Sequence, residues 1–283
     1  MSAAKPKFPN MKLGTLERYR VRGGAEPPRL ADVDPKDKQG LPLDKAEIKA
    51  ATAADVAEID RLQEILYAGA KHGVLVVLQG LDTSGKDGTI RRVFGPINPL
   101  GVLATSFKAP TPQELAHDFL WRVHKVVPPL RLIGVFNRSH YEDVLVARVH
   151  GLAPHDRIEA RYDHINAFER HLAANDTVII KFLLHISKEE QKARLQARID
   201  DPTKRWKFSP NDLAERKYWE DYQKAYQIAL ERCSTEWAPW FIVPADRKWY
   251  RNAVVARIIR TTLEALNLAY PADPPGLDKI RIE

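Results

Sequence analysis

Val74-Leu-Val-Val-Leu78, then Gly80-Leu-Asp82-Thr-Ser84-Gly85-Lys86-Asp87-Gly88-Thr89, then Ile90-Arg-Arg-Val-Phe94: this stretch decides how the chain is read. The wholly aliphatic run is a buried strand, the glycine-rich segment a turn, and the residues after it have helical character. Strand, glycine turn and a helix opening on a lysine make a phosphate-binding loop. Backbone N–H groups line such a turn, and the helix start adds partial positive charge. The usual pattern is G-x-x-x-x-G-K-[ST]; here Asp87 stands where the metal-binding hydroxyl belongs. On this reading Lys86 is a point charge on a phosphate, and Gly85 and Gly88 let the backbone approach its oxygens. Ser84 and Thr89 add hydroxyl donors. Asp82 would repel an anion unless a cation lies between them, so it points to Mg2+. The plainer alternative is a turn residue bonding its own backbone.

Outward from the loop, helices and strands alternate. Val56, Ile59, Leu62, Ile65 and Leu66 give a helix over Asp44–Ala70. A short strand is expected near Val102–Phe107, a helix over Gln113–Lys125 and a buried strand at Leu132–Phe136. A helix over Asp156–Ala174, a strand at Val178–Leu184 and a helix over Lys188–Ile199 follow. A polar loop, Asp200–Pro210, precedes a helix over Leu213–Arg232, a strand at Trp240–Val243 and a helix over Trp249–Leu266. Such alternation implies a parallel sheet covered by helices on both faces, an α/β fold. Ligands of such sheets sit beyond the carboxyl ends of the strands, where the loops at 79–89, 137–143 and 185–188 should gather. Residues 1–43 are rich in proline and charge without a sustained period. They read as an N-terminal extension that wraps the domain or stays partly mobile. Residues 44–270 form the phosphate-loop domain and 271–283 a C-terminal tail.

The chain has 283 residues and a formal net charge of +7, with a single cysteine, Cys233. The length accommodates one large core. The basic balance favours a polyanionic partner, whether nucleic acid, acidic membrane or phosphorylated substrate. One cysteine excludes an intrachain disulfide and fits a reducing compartment. The first residues lack the apolar core of a signal peptide, and no apolar run approaches the ~20 residues of a membrane span. A soluble cytoplasmic protein is the expectation.

Two further constellations carry chemistry. Phe136-Asn137-Arg138-Ser139-His140-Tyr141-Glu142-Asp143 begins where a strand ends. Asn137 is a neutral ligand or hydrogen-bond positioner, and Arg138 is suited to clamp phosphate oxygens. Ser139-x-x-Glu142 is also a capping-box pattern, so Glu142 reads either as a cap or as an acid beside Mg2+. Asp143 reads as a first-turn acid or as part of the same site, and His140 as a packing or hydrogen-bonding residue. The third constellation is Arg194, Arg198, Lys204, Arg205 and Lys207, interleaved with Trp206 and Phe208. It reads as a lid, about residues 198–215, with aromatic anchors, against the plainer alternative of a solvated face. Arg91, Arg92, Lys108, Arg122 and Lys125 add positive charge nearby. The tryptophans read as core.

Together, Gly80–Thr89, Phe136–Leu145 and Asp201–Pro210 resemble the polyphosphate kinase 2 family. Ser106–Thr111 and Thr235–Trp240 fit it too, and the likeness runs over roughly 40–268. Tyr141-Glu142-Asp143 looks like its class III branch, whose members phosphorylate AMP and ADP from polyphosphate. The resemblance implies a three-layer α/β/α, thymidylate-kinase-like phosphate-loop kinase fold with a helical lid. It implies Mg2+ (or Mn2+), inorganic polyphosphate and AMP, ADP and ATP as partners, and a homo-oligomer, dimer or tetramer. It implies no nucleic acid and no membrane. Asp82, Lys86, Arg138 and Arg198 become the catalytic candidates. Ser84, Gly85, Gly88, Thr89, Arg91, Lys108, Arg122, Lys204 and Lys207 join Lys86 in holding phosphate. Asn137, Glu142 and Asp143 face the nucleotide. Asp82 holds metal, with Asn137 or Glu142 as further candidates. An ATP-dependent nucleoside monophosphate kinase on the same fold is the alternative, and a nucleotide-controlled nucleic-acid-binding protein the third; no helix-turn-helix or RNA-binding signature supports the latter.

Overall fold

The computed structural model describes residues 6–24, 26–41 and 44–282. Among the described residues the strands are β1 (Arg20–Val21), β2 (Gly73–Gln79), β3 (Val102–Ser106), β4 (Ile133–Asn137), β5 (Thr177–His185) and β6 (Trp240–Pro244). The helices are α1 (Lys45–Gly69), α2 (Lys86–Thr89), α3 (Pro112–Leu115), α4 (Trp121–His124), α5 (Val146–Val149), α6 (His155–Ala174), α7 (Lys188–Asp200), α8 (Pro210–Glu215), α9 (Trp219–Cys233) and α10 (Lys248–Ala265). The strands form one sheet in the order β1-β6-β5-β2-β4-β3. β2 runs parallel to β4 and β5, β3 parallel to β4, and β5 parallel to β6.

Every residue of β2 is buried, because the strand lies between two neighbours and under helices on both faces. Alternate side chains separate into two cores. Val74, Val76 and Leu78 face the layer of α1 and α10. Leu75 and Val77 face the layer of α6 and α9. This is a three-layer α/β/α phosphate-loop kinase fold. The parallel direction brings the ends of β2 and β4 together, since Leu78 pairs with Asn137. The segments Gly80–Thr89 and Arg138–Asp143 therefore leave the sheet side by side.

The N-terminal arm contributes to this body. Phe8, Met11, Leu13, Leu16 and Tyr19 are buried in the α1–α10 layer. β1 pairs antiparallel with β6, Arg20 opposite Phe241 and Val21 opposite Trp240. The Tyr19 hydroxyl donates to Asp37 Oδ2 at 2.7 Å and stands 2.8 Å from the Tyr250 hydroxyl.

Two expected helices and one expected loop are corrected. The segment 113–125 is two short turns, α3 and α4. Asp118 interrupts it: its Oδ1 accepts from Leu120 N–H at 3.0 Å and its carbonyl from Trp121 N–H at 3.1 Å, a local turn that competes with the helix. The segment 213–232 is α8, a tighter turn at Arg216–Tyr218, and then α9. The loop 200–210 contains a turn at Arg205–Lys207, and Pro210 opens α8 behind a Ser209 cap rather than closing a loop. No helix among the described residues is long and apolar enough to cross a membrane.

Candidate active site

The phosphate loop leaves β2 through Gly80 at φ +146° and turns through Thr83 at +64° and Gly85 at +107°. Lys86 folds back over the loop and donates from Nζ to the Gly80 carbonyl at 2.6 Å. Lys86 is 8 % exposed. Burial, reinforced by the Arg138 charge, pulls its pKa down to about 8, so at neutral pH it is still a cation. The Thr83 and Ser84 hydroxyls are buried without partners among the described residues. Thr89 is buried and turned toward Asn252 Oδ1, 3.4 Å away.

The second motif meets the first through two contacts. Asn137 Nδ2 donates to Asp87 Oδ1 at 2.7 Å, so the unusual acid of the loop is held by the residue that ends β4. Arg138, at φ +62°, places its guanidinium between two carboxylates, with Nη2 at 2.9 Å from Asp82 Oδ1 and Nη1 at 3.3 Å from Glu142 Oε2. Burial opposes the charge on Arg138, but Glu142 and Asp82 hold its pKa above the usual value. Burial pushes the Glu142 carboxyl up, against the pull of Arg138 and Lys86. Ser139 Oγ accepts from Tyr141 N–H at 3.1 Å while Glu142 turns to Arg138, so the reciprocal bond of a capping box is not what holds Glu142. His140 is fully buried, as a hydrogen-bonding residue, with Nε2 3.2 Å from Glu169 Oε1.

Asp82, Lys86, Asp87, Asn137, Arg138 and Glu142 are thus one cluster. Other expected residues lie elsewhere. Asp143 sits between Arg122 and Arg161, 3.7 Å from each, on an open cavity of about 860 Å³. Arg122 is engaged there and with the Lys108 carbonyl at 2.9 Å, beside the second motif. Arg91 and Lys108 are exposed.

Over the loop, Arg198 Nη1 reaches Asp212 Oδ2 at 3.1 Å and the Lys207 carbonyl at 3.3 Å, which ties α7 to α8. Lys204 pairs with Asp201. Burial, and next the charge of Asp82, raise the Asp212 pKa, which puts this segment within electrostatic reach of the phosphate loop. Gln191 Nε2 donates to the Asp82 carbonyl at 3.1 Å and Arg216 Nη1 to Gln191 Oε1 at 2.8 Å. Trp206 is not an anchor: it is 77 % exposed, with the Lys207 ammonium 5.0 Å over its ring. Arg194 is not a lid cation either. It is buried, donating to the Thr83 and Ser84 carbonyls at 2.9 and 3.1 Å and to the Ala245 and Asp246 carbonyls at 2.7 and 2.8 Å.

A family model described as polyphosphate kinase 2 matches residues 42–271. The chain belongs to the polyphosphate kinase 2 family. It is 50 % identical over 270 residues to an AMP/ADP-polyphosphate phosphotransferase of Meiothermus ruber, covering 95 % of this chain and 100 % of that one. It is 45 % identical over 236 residues to an ADP-polyphosphate phosphotransferase of Rhodopseudomonas palustris, covering 79 % and 82 %. A crystal structure of polyphosphate kinase 2 from Arthrobacter aurescens TC1 superposes with a TM-score of 0.88 at 46 % identity, over 94 % of this chain and 95 % of that one.

Two features of this polyphosphate kinase 2 chain escape the motifs. Arg251, on α10, packs behind the phosphate loop and donates from Nη1 to the Ser84 carbonyl at 3.0 Å. A Cβ at Gly85 would collide with its guanidinium. Beneath the second motif, Lys181 of β5 bonds Glu169 Oε2 at 2.5 Å, the Tyr141 hydroxyl at 2.8 Å and the Cys233 carbonyl at 2.7 Å, all fully buried. A lysine inside the aliphatic run Val178–Leu184 was the signal for the second; nothing in the local pattern marks Arg251.

Proposed function

We propose that the chain transfers the terminal phosphoryl group of inorganic polyphosphate to AMP and to ADP, giving ADP and ATP. The observation that carries this reading is the Asp82–Arg138–Glu142 bridge beside Lys86: cations to hold phosphate and acids to hold a metal, with no nucleophile–base pair beside them among the described residues. The names and near-complete coverage of the Meiothermus and Rhodopseudomonas relatives support it. A phosphate oxygen of the acceptor attacks the terminal phosphorus of the chain in line. The new P–O bond forms as the bridging P–O bond breaks, and the shortened chain leaves with its electron pair. The attacking oxygen is already ionised near neutrality, so positioning and charge neutralisation do the catalysis.

Lys86 receives the transferred phosphate, Arg138 orients the acceptor against Asp82 and Glu142, and Arg198 with Lys204 and Lys207 closes over the chain. The donor set is hard oxygen, which suits Mg2+ or Mn2+. No group of three ligating side chains is found among the described residues. Mg2+ takes only one or two carboxylates and completes its shell with water and phosphate, so Asp82 and Glu142 fit. Bound there, the ion would neutralise phosphate charge. The proposed setting is cytoplasmic, with the chain assembled as a dimer or tetramer.

The test is donor identity. Pure protein, Mg2+, AMP and long-chain polyphosphate, with no ATP, should form ADP and then ATP. Turnover with ATP as the sole effective donor would replace this reading with an ATP-dependent monophosphate kinase.

A further inference from the structure

Arg251 is 2 % exposed, and its polar partners are all neutral: the Ser84 carbonyl at 3.0 Å from Nη1, and Asn252 Oδ1 at 3.2 Å from Nε and 2.9 Å from Nη2. Among the described residues no carboxylate pairs with it. Its charged neighbour is another cation, Arg194, which shares the Ser84 carbonyl at 3.1 Å and has Glu190 at 2.8 Å. Burial and then Arg194 lower the Arg251 pKa to about 9, yet it remains charged at neutral pH. A buried charge without a counter-charge is unfavourable and persists only where something compensates.

The geometry names the compensation. Ser84 C=O and Gly85 N–H belong to one peptide unit. Two guanidinium groups at its oxygen end polarise the unit and make the N–H at the other end a stronger donor. Gly85 is the residue that admits the guanidinium, since a Cβ there would strike Arg251 Nη1 and Cζ; a Cβ at Gly88 would come to 3.4 Å of Nη2. The two glycines of the motif therefore line the face of Arg251 as well as the front of the loop.

We propose that Arg251 is a positioning residue of the donor phosphate site: a buried guanidinium that fixes the Ser84–Gly85 peptide from behind and whose unbalanced charge is met by the phosphate chain in front. This rests on the reading of the loop as the donor site. The positive field is built in before binding, which is how preorganised charge favours a polyanion over water.

The experiment measures the melting temperature of the full chain with and without long-chain polyphosphate, nucleotide omitted, and KM for polyphosphate and for AMP. It compares Arg251→Met, which lacks donor and charge, Arg251→Gln, which keeps a donor, and Arg251→Lys, which keeps the charge. The neutral variants should melt no lower than the parent without ligand and should lose most of the polyphosphate-induced shift. Their KM for polyphosphate should rise roughly tenfold, with that for AMP within about twofold. Arg251→Lys should retain most of the shift. A Gln variant with the parental polyphosphate shift and KM would overturn the proposal and leave Arg251 as a hydrogen-bonding brace. A fall in the unliganded melting temperature with an unchanged polyphosphate shift would do the same. If Arg251→Met does not fold, the Gln and Lys comparison decides. Absence of any polyphosphate shift in the parent would instead count against the donor-site reading itself.

Discussion

Lys86 is where loop geometry becomes a pH dependence. Buried and next to Arg138, its ammonium has a pKa of about 8 in the free protein, and only the charged form attracts a phosphate chain. The sign follows: the cation is present below that value and is lost as pH rises through it. The kcat/KM for polyphosphate, which reports the free enzyme, should fall above pH ~8, approaching tenfold per pH unit. The limb in kcat should lie higher, because bound phosphate favours the ammonium. Replacing Lys86 with Arg should move the alkaline limb upward, since a guanidinium holds its proton more tightly than an ammonium in the same surroundings. An alkaline limb at the same pH in Lys86→Arg would assign it to another group. Lys86→Ala should lower kcat by about 10²–10³-fold while its circular dichroism stays parental. The folded-back bond from Nζ to the Gly80 carbonyl is the contact that phosphate would replace.

At the scale of elements, the second motif is rigid because a buried ionic cluster lies under it. Lys181 of β5, Glu169 of α6 and Tyr141 meet with no exposure to water, and Tyr141 immediately precedes Glu142. Burial raises the Glu169 pKa, but Lys181 and then His140 outweigh it and hold the carboxyl below its usual value. Removing one partner strands the other. Lys181→Met should destabilise the fold by about 3–5 kcal/mol in urea unfolding, and the double change with Glu169→Leu should recover much of that. Equal losses in the single and double variants would mean that packing, not charge, holds the cluster. These elements also mark how far the sequence could be read. β2, β4, β5 and β6 are predominantly apolar runs, Lys181 of β5 apart, whose burial leaves little alternative, and the phosphate loop and Asn137–Glu142 follow from where two of those runs end. β1 is two residues long, and two residues carry no period; its place depends on β6, more than two hundred positions away. The break at Asp118 and the early start of α8 were invisible because Asp118 and Ser209 act through local hydrogen bonds that periodicity does not register. Arg251 was invisible for a related reason: it sits within a helix of otherwise ordinary composition, and only the approach of α10 to Gly85 gives it meaning.

The whole molecule carries a formal charge of +7, and its proposed donor is a chain of negative charges longer than the phosphate loop. At the front of the phosphate loop, cations and acids nearly balance: Lys86 and Arg138 face Asp82, Asp87 and Glu142, with Arg251 behind. Further positive charge lies outside, on exposed residues such as Arg91, Arg92 and Lys108. Buried pairs are weakly screened by salt, whereas exposed charges lose their reach beyond a Debye length of about 8 Å at physiological ionic strength. The two substrates should therefore separate in a salt titration. Raising salt from about 0.05 M to about 0.5 M should increase KM for long-chain polyphosphate about tenfold or more, through slower association as the field is screened. Tripolyphosphate, which spans the loop and little else, should respond less, and KM for AMP should change by no more than about twofold. The experiment is a set of initial-rate curves at fixed free Mg2+, so that salt does not act through the metal. If all three constants rise in parallel, the surface charge has no part in capturing the donor, and the basic balance of the chain serves something other than this reaction.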